Sequence, residues 1–291
     1  MYELCQVAEN TYYFASPARV GLYRKGSTVY LLDGGSDESA AKRMLRTIRE
    51  NGWELAAIFN THSHADHIGG NRYLQQQTGC RIFAPDAEAT FARHPVLEAA
   101  LLYGGLPPEP LRHKFLLAHP SDTEVLTDAV LPEGLTLFDL SGHCLQMVGF
   151  ETDDGVCFVA DSVCSEQTLQ KYGITYLFDV AAHLRVLQAL RQKQAKLFVP
   201  VHAEPSDDLS PLIDANIAKI FEVGDVLCAL CAQGCSTEAL IAKVFEHYGL
   251  RCSFEQLALV GSTVRSYLTW LSDLGRIRPI AENNLLLWQA V

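Results

Sequence analysis

Four times before residue 205, a run of apolar and β-branched residues ends on a histidine or an aspartate. "LAAIFN" leads into "THSHADH" at 61–67, "LTLFDLSGHC" reaches His143, "GVCFVADSV" reaches Asp161, and "KLFVPVHAE" reaches His202. Short apolar runs bounded by turn residues read as buried strands. In helix-flanked sheets, strand ends are where sites are built. A fold for this chain has to gather these four strand ends at one edge.

The intervening segments supply the helices. From Asp37 to Asn51 the positions Ala41, Met44, Leu45 and Ile48 recur at helical spacing, and Gly52 follows as the stop. "TYYFAS" and "STVYLLDGG" read as strands, the second ended by Gly34 and Gly35; "NRYLQQQTG" is a helix and "CRIFAP" a strand. "MVGFETDDGVCFVADSV" is a hairpin around an Asp-Asp-Gly turn. A helix over 179–195 follows it. Residues 86–135 are harder to read: they contain a helix broken by Gly104 and Gly105 and then by prolines 107, 108 and 110, and read as an insertion packed near a site.

"EPSDDLSP" at 204–211 reads as a linker. Beyond it the spacing predicts helices over 211–233, 237–247, 253–260 and 263–274, then two short strands in "RIRPIAENNLLLWQAV". The expected division is therefore a domain over 1–208 and a small helical, winged-helix-like domain over 209–291.

Composition narrows the partners. A net charge of −11, with a pI near 5.3, gives no general attraction to phosphate backbones or anionic membranes. No apolar run approaches the roughly 20 residues of a membrane span, and "MYELCQVAEN" lacks the features of a signal peptide. The expectation is a cytoplasmic protein with no membrane partner. Nine cysteines, an odd number without an export signal, argue for reduced thiols.

Neutral imidazole is the commonest metal ligand, and carboxylate suits the same divalent cations. His62 and His64 lie two apart, with Asp66 and His67 at the turn into a helix, so one short loop can serve two metals. The series "THSHADH", "GH" at 142–143, "AD" at 160–161 and "VH" at 201–202 resembles the ligand set of the metallo-β-lactamase superfamily, over about residues 1–208. That resemblance implies an α+β fold, an αββα sandwich of two mixed sheets with helices outside. It implies that His62, His64 and His143 hold one metal, that Asp66, His67 and His202 hold the other, and that Asp161 bridges them. Two divalent ions are expected, zinc first, with iron or manganese as alternatives. A metal-bound hydroxide would then act on a thioester or another small acyl or ester substrate, with Asp66 as the catalytic proton carrier. Where many members carry threonine or serine after the third histidine, this chain has Cys144, read as a small core residue.

Within the superfamily the leading expectation is a binuclear hydrolase of the glyoxalase II type. The C-terminal hairpin departs from that enzyme and is similar to the tail of the lactamase-beta-2-like branch, which includes a single-stranded RNA endonuclease. Against RNA, residues 210–291 carry six basic side chains and eight acidic ones, with no basic stripe. A persulfide dioxygenase with one iron on His62, His143 and Asp161 is a further alternative. A regulatory or scaffold role for the tail is a minor one, and a tail packing on a second subunit leaves a homodimer open. Cys228, Cys231, Cys235 and Cys252 have the spacing of a metal set, but the first three also share a helix face and read as core. His94, His113, His119, His183 and His247 show no ligand spacing.

Overall fold

A computed structural model describes residues 2–291. The first sheet has seven strands in chain order: β1 (Glu3–Gln6), β2 (Thr11–Ala15), β3 (Val20–Lys25), β4 (Thr28–Leu32), β5 (Glu54–Phe59), β6 (Arg81–Ala84) and β7 (Thr123–Val125). β1 to β4 are antiparallel and β4 to β7 parallel, because helices carry each crossover. These are α1 (Glu38–Glu50), then α2 (Ala65–Ile68) and α3 (Asn71–Thr78), then α4 (Asp86–Arg93) and α5 (Val96–Tyr103). α1 begins where the Asp37 side chain accepts a hydrogen bond from the Ala40 N–H, and it buries Ala41, Met44, Leu45 and Ile48 against the sheet.

The second sheet is β8 (Leu135–Asp139), β9 (Val148–Thr152), β10 (Val156–Cys164) and β11 (Leu197–His202) in the order β11-β10-β9-β8, with only β10 and β11 parallel. α6 (Glu166–Tyr172) and α7 (Val180–Gln192) make that crossover. Then come α8 (Ser210–Leu230), α9 (Thr237–His247) and α10 (Phe254–Asp273). Alongside them a small sheet forms from β12 (Cys235–Ser236), β13 (Ile277–Glu282) and β14 (Leu285–Ala290).

Three apolar layers hold this together. Phe59 and Phe83 from the first sheet meet Phe150, Phe158 and Val199 from the second, so the two mixed sheets lie face to face. α1 and α3 cover the outer face of the first sheet. The outer face of the second is covered by α7, α8, α9 and α10 in one continuous cluster that includes Val159, Leu187, Ile220, Val244 and Leu268. The architecture is α+β in four layers, with a helical C-terminal region sharing the core of the second sheet.

The differences from expectation are local. The insertion holds two eight-residue helices where one was expected: α5 ends at Gly104, as the sequence suggests, and α4 precedes it. α10 is one helix rather than two: Ser253 caps it, and Gly261, where a break was expected, lets it run close against Ile241 of α9. Cys231 and Cys235 lie in the core, Cys228 packs against it, and Cys252 is exposed. Among the described residues no helix is long and apolar enough to cross a membrane.

Candidate metal centre

All seven residues of the expected ligand series meet at one edge of the paired sheets. His62, His64, His143 and Asp161 present ligand atoms within 4.8 Å of one another, as do Asp66, His67 and His202. Local structure explains each placement. The chain leaves β5, turns through His62 and His64, and enters α2 with Asp66 and His67. Gly70 lets α2 approach the 34–37 turn, since a Cβ there would collide with the Gly34 carbonyl oxygen. Gly142, at φ 135°, passes so near the His183 backbone that only glycine fits before His143. In β10 the register with β11 shifts around Ala160, whose φ is 46°. That irregularity aims Asp161 out of the ladder and into the site.

Hydrogen bonds orient the rings. The Thr61 hydroxyl donates to Asp33 Oδ2 (2.9 Å), so its lone pair receives His62 Nδ1–H (2.9 Å) and His62 Nε2 faces inward. His143 Nδ1–H donates to the Tyr176 carbonyl (3.1 Å), turning its Nε2 inward too. His64 points its Nδ1 inward, because Glu98 Oε1 lies 3.4 Å from its Nε2. His67 Nδ1–H donates to Asp33 Oδ2 at 2.8 Å. Asp33 itself sits at φ 76°, unusual for a side-chain-bearing residue, and also accepts from the Thr61 N–H at 2.8 Å.

The inward atoms fit cations. His64 Nδ1 lies 3.0 Å from His62 Nε2 and 3.1 Å from His143 Nε2, three lone pairs converging on one point. Asp161 Oδ1 is 3.3 Å from His67 Nε2, and both atoms are buried without a hydrogen-bond partner. Asp161 Oδ2 is 3.3 Å from His202 Nε2 and 3.6 Å from His143 Nε2, so this carboxylate reaches both groups. Asp66 Oδ2 lies 3.6 Å from His202 Nε2 and 3.8 Å from His67 Nε2. Two His/Asp clusters of this kind are consistent with a binuclear metal site.

The electrostatics divide along the same line. Burial, then the neighbouring rings, pushes His62 well below the usual imidazole range, and burial and His64 hold His143 at about 3. Both stay neutral, the ligating form. Asp161 raises His202 to about 10 against the effect of burial. Burial also opposes the charge on His67, but Asp161, Asp33 and Asp66 outweigh it and hold it well above its ordinary value. With the protein's own charges alone, the Asp-rich side draws protons onto its histidines, and a cation there would take their place.

Sequence reasoning missed the supporting carboxylates. Asp33, at the end of β4, Glu88 on α4 and Glu98 on α5 are all buried beside the site. His183 lines, with His64, Asp66, His143, Asp161 and His202, a cavity at the site, and is buried with its Nδ1 unpaired. Cys144 lies in the core, where burial, then Glu88 and Glu98, pushes its thiol well up.

A family model described as the metallo-beta-lactamase superfamily matches residues 15–202. Hydroxyacylglutathione hydrolase from Rhodopseudomonas palustris (strain BisB18) is 30% identical over 169 residues, which are 56% of this chain and 57% of that one. The enzyme of the same name from Methylococcus capsulatus is 29% identical over 163 residues, 55% of this chain and 52% of that one. The chain thus spans little more than half the length of these curated relatives. Among solved structures, a beta-lactamase domain protein from Burkholderia ambifaria superposes with a TM-score of 0.74 at 16% identity, covering 99% of this chain and 94% of that one. A metallo-beta-lactamase family protein from Thermus thermophilus gives 0.73 at 18%, covering 97% and 99%. These two likenesses speak to fold alone.

Proposed function

This chain belongs to the metallo-beta-lactamase superfamily, and from that premise we propose that it is a binuclear metal-dependent hydrolase of thioesters. The observation that carries the reading is Asp161, whose two carboxylate oxygens reach His67 on one side and His143 and His202 on the other. In this reading His62, His64 and His143 hold one ion, Asp66, His67 and His202 the other, and Asp161 both. The partial similarity to hydroxyacylglutathione hydrolases supports the thioester class. The hydrolase is a metal enzyme in which zinc comes first, ahead of manganese or iron.

Divalent ions held there supply an acidified water and Lewis acidity toward the substrate oxygen. The chain's own residues do the rest. Asp66, 43% exposed toward the cavity, takes a proton from the attacking water and returns it to the leaving thiolate. Its carboxyl is held at about 2: desolvation opposes the charge, but His67 and the nearby His202 outweigh it, so it begins the cycle ionised. Asp33 and Glu98 fix the rings of His67 and His64.

We read the tail as a winged-helix-like module that walls the site rather than tracking RNA. Three of its four arginines are engaged locally, Arg276 with Asp225, Arg265 with Glu238 and Arg278 with Gln289. The test is thioester hydrolysis by the full chain after chelation and reloading with zinc, beside an Asp66→Ala variant. Activity should disappear with chelation and return with zinc, and the variant should lose about 10²–10⁴-fold in kcat. Cleavage of single-stranded RNA without thioester turnover would overturn the reading, as would one iron per chain with oxygen uptake on a persulfide.

A further inference from the structure

Above the metal centre lies a cavity of about 590 Å³, within the range of sites for small organic ligands. His64, Asp66, His143, Asp161 and His202 form its floor. One wall is apolar and comes from two segments far apart in the chain. Leu102 and Leu116 of the insertion and Leu259 of α10 join Tyr176 in a small apolar cluster separate from the main cores. Tyr176 connects this wall to the chemistry, since its ring centroid lies 5.3 Å from that of His64 and 5.6 Å from that of His143. Polar lining comes from Gln167, Thr168 and Lys171 of α6, from Lys114 of the insertion, and from Gln256 and Thr263 of α10, on either side of Leu259 in the chain. The lining also includes Phe115, which is 72% exposed and so carries apolar surface from the cavity to solvent. Exposed apolar surface continuous with a reaction cavity is surface a ligand can cover.

We propose that this wall is an acyl-chain subsite and that the substrates are thioesters of straight-chain aliphatic acids. The inference rests on the thioester reading above and adds the identity of the acyl group. With the carbonyl carbon at the floor, the chain passes along Tyr176 and onto Leu102, Leu116 and Leu259. Water adds to that carbon, the C–S bond breaks, and the products are a carboxylate, a thiol that receives one of the water's two protons, and the other proton, released to solvent. Hydroxyl groups along the chain would lie unpaired against three leucines, which selects for hydrocarbon.

The experiment uses the zinc-loaded full chain and acetyl, butanoyl, hexanoyl and octanoyl thioesters of one small thiol, with calorimetric binding of the matching free acids in parallel. kcat/KM should climb by up to about fourfold per methylene, and acid binding should rise in step. Leu259→Gln should flatten the octanoyl-to-acetyl ratio, Leu259→Trp should lower it by shortening the chain that fits, and Leu259→Met should restore it. A series flat to within about twofold overturns the subsite and leaves thioester chemistry standing. Graded binding of the acids with no thioester hydrolysis keeps the subsite and overturns the reaction. Neither hydrolysis nor graded binding overturns both, and an unchanged ratio in Leu259→Gln removes α10 from the wall.

Discussion

Glu88 offers the sharpest test of how the site is held. It is 2% exposed, and its Oε2 accepts from the Ser63 N–H at 3.0 Å and the Ser63 hydroxyl at 2.5 Å, while Oε1 accepts from the Gln146 N–H at 3.1 Å. One carboxylate thus clamps the loop bearing His62 and His64 to the loop bearing His143. Hydrogen bonds to a charged group contribute about 1.5–3 kcal/mol each, and three that share one acceptor group do not simply add. With a cavity left behind, Glu88→Ala should cost about 4 kcal/mol. Glu88→Gln keeps the shape and one oxygen. With that oxygen turned to Ser63, its amide opposes the Gln146 N–H, donor against donor, at about 2–3 kcal/mol. Urea unfolding of the chelator-treated proteins at pH 7 should rank wild type above Gln above Ala. Chelator competition should show metal binding weakened by roughly 10–100-fold in both. A Glu88→Ala protein that loses less than about 1 kcal/mol and binds metal like wild type would refute the clamp.

Asp33→Asn should spare the backbone, because asparagine tolerates the left-handed conformation at φ 76°, yet remove the charged acceptor of His67. Metal affinity by chelator competition should fall by roughly 10–100-fold, and a change within twofold would count against Asp33 as the orienting group. His183 supplies the pH prediction, since burial lowers it from 6.5 to about 4. Neutral when folded, it takes a proton near 6.5 when unfolded, so stability falls as pH drops below 6.5 and the penalty is complete below about 4. The penalty is about 3 kcal/mol. His183→Leu should show a flatter stability profile than wild type between those limits in the chelator-treated chain, and parallel profiles would show that His183 does not titrate as buried.

The ligands were legible because their marks are local. His62 and His64 sit two apart just past an apolar strand, His143 follows β8 and His202 ends β11, while Asp161, expected at a strand end, lies within β10 at its irregularity. Their supports leave no such mark. Asp33 belongs to "LDGG", which reads as an ordinary strand end, and its role depends on a φ of 76° and on Thr61 in the next crossover. Glu88 and Glu98 ride on α4 and α5, each eight residues long and flanked by proline or glycine, too short for a periodic signal to emerge. α10 was obscured for the opposite reason. Gly261 and Ser262 look like a stop in isolation, but burial of Val260, Val264, Tyr267 and Leu268 overrides local propensity.

That unreadable stretch has a physical logic. On α5, Glu98 and Leu102 are four residues apart and share one helix face, so the side chain that holds His64 and one that walls the cavity are carried by the same turn. A shift of α5 that opens the cavity to a larger substrate also loosens His64. Leu259 approaches the same cavity from α10, and no group on its helix touches a ligand ring through a hydrogen bond or an ion pair among the described residues. Substrate range can therefore change from the α10 side without breaking a hydrogen bond or ion pair to the ligand rings, although Leu259 packs in one cluster with Tyr176, whose carbonyl accepts from His143. On the α5 side the same change draws on the bond that orients one of them.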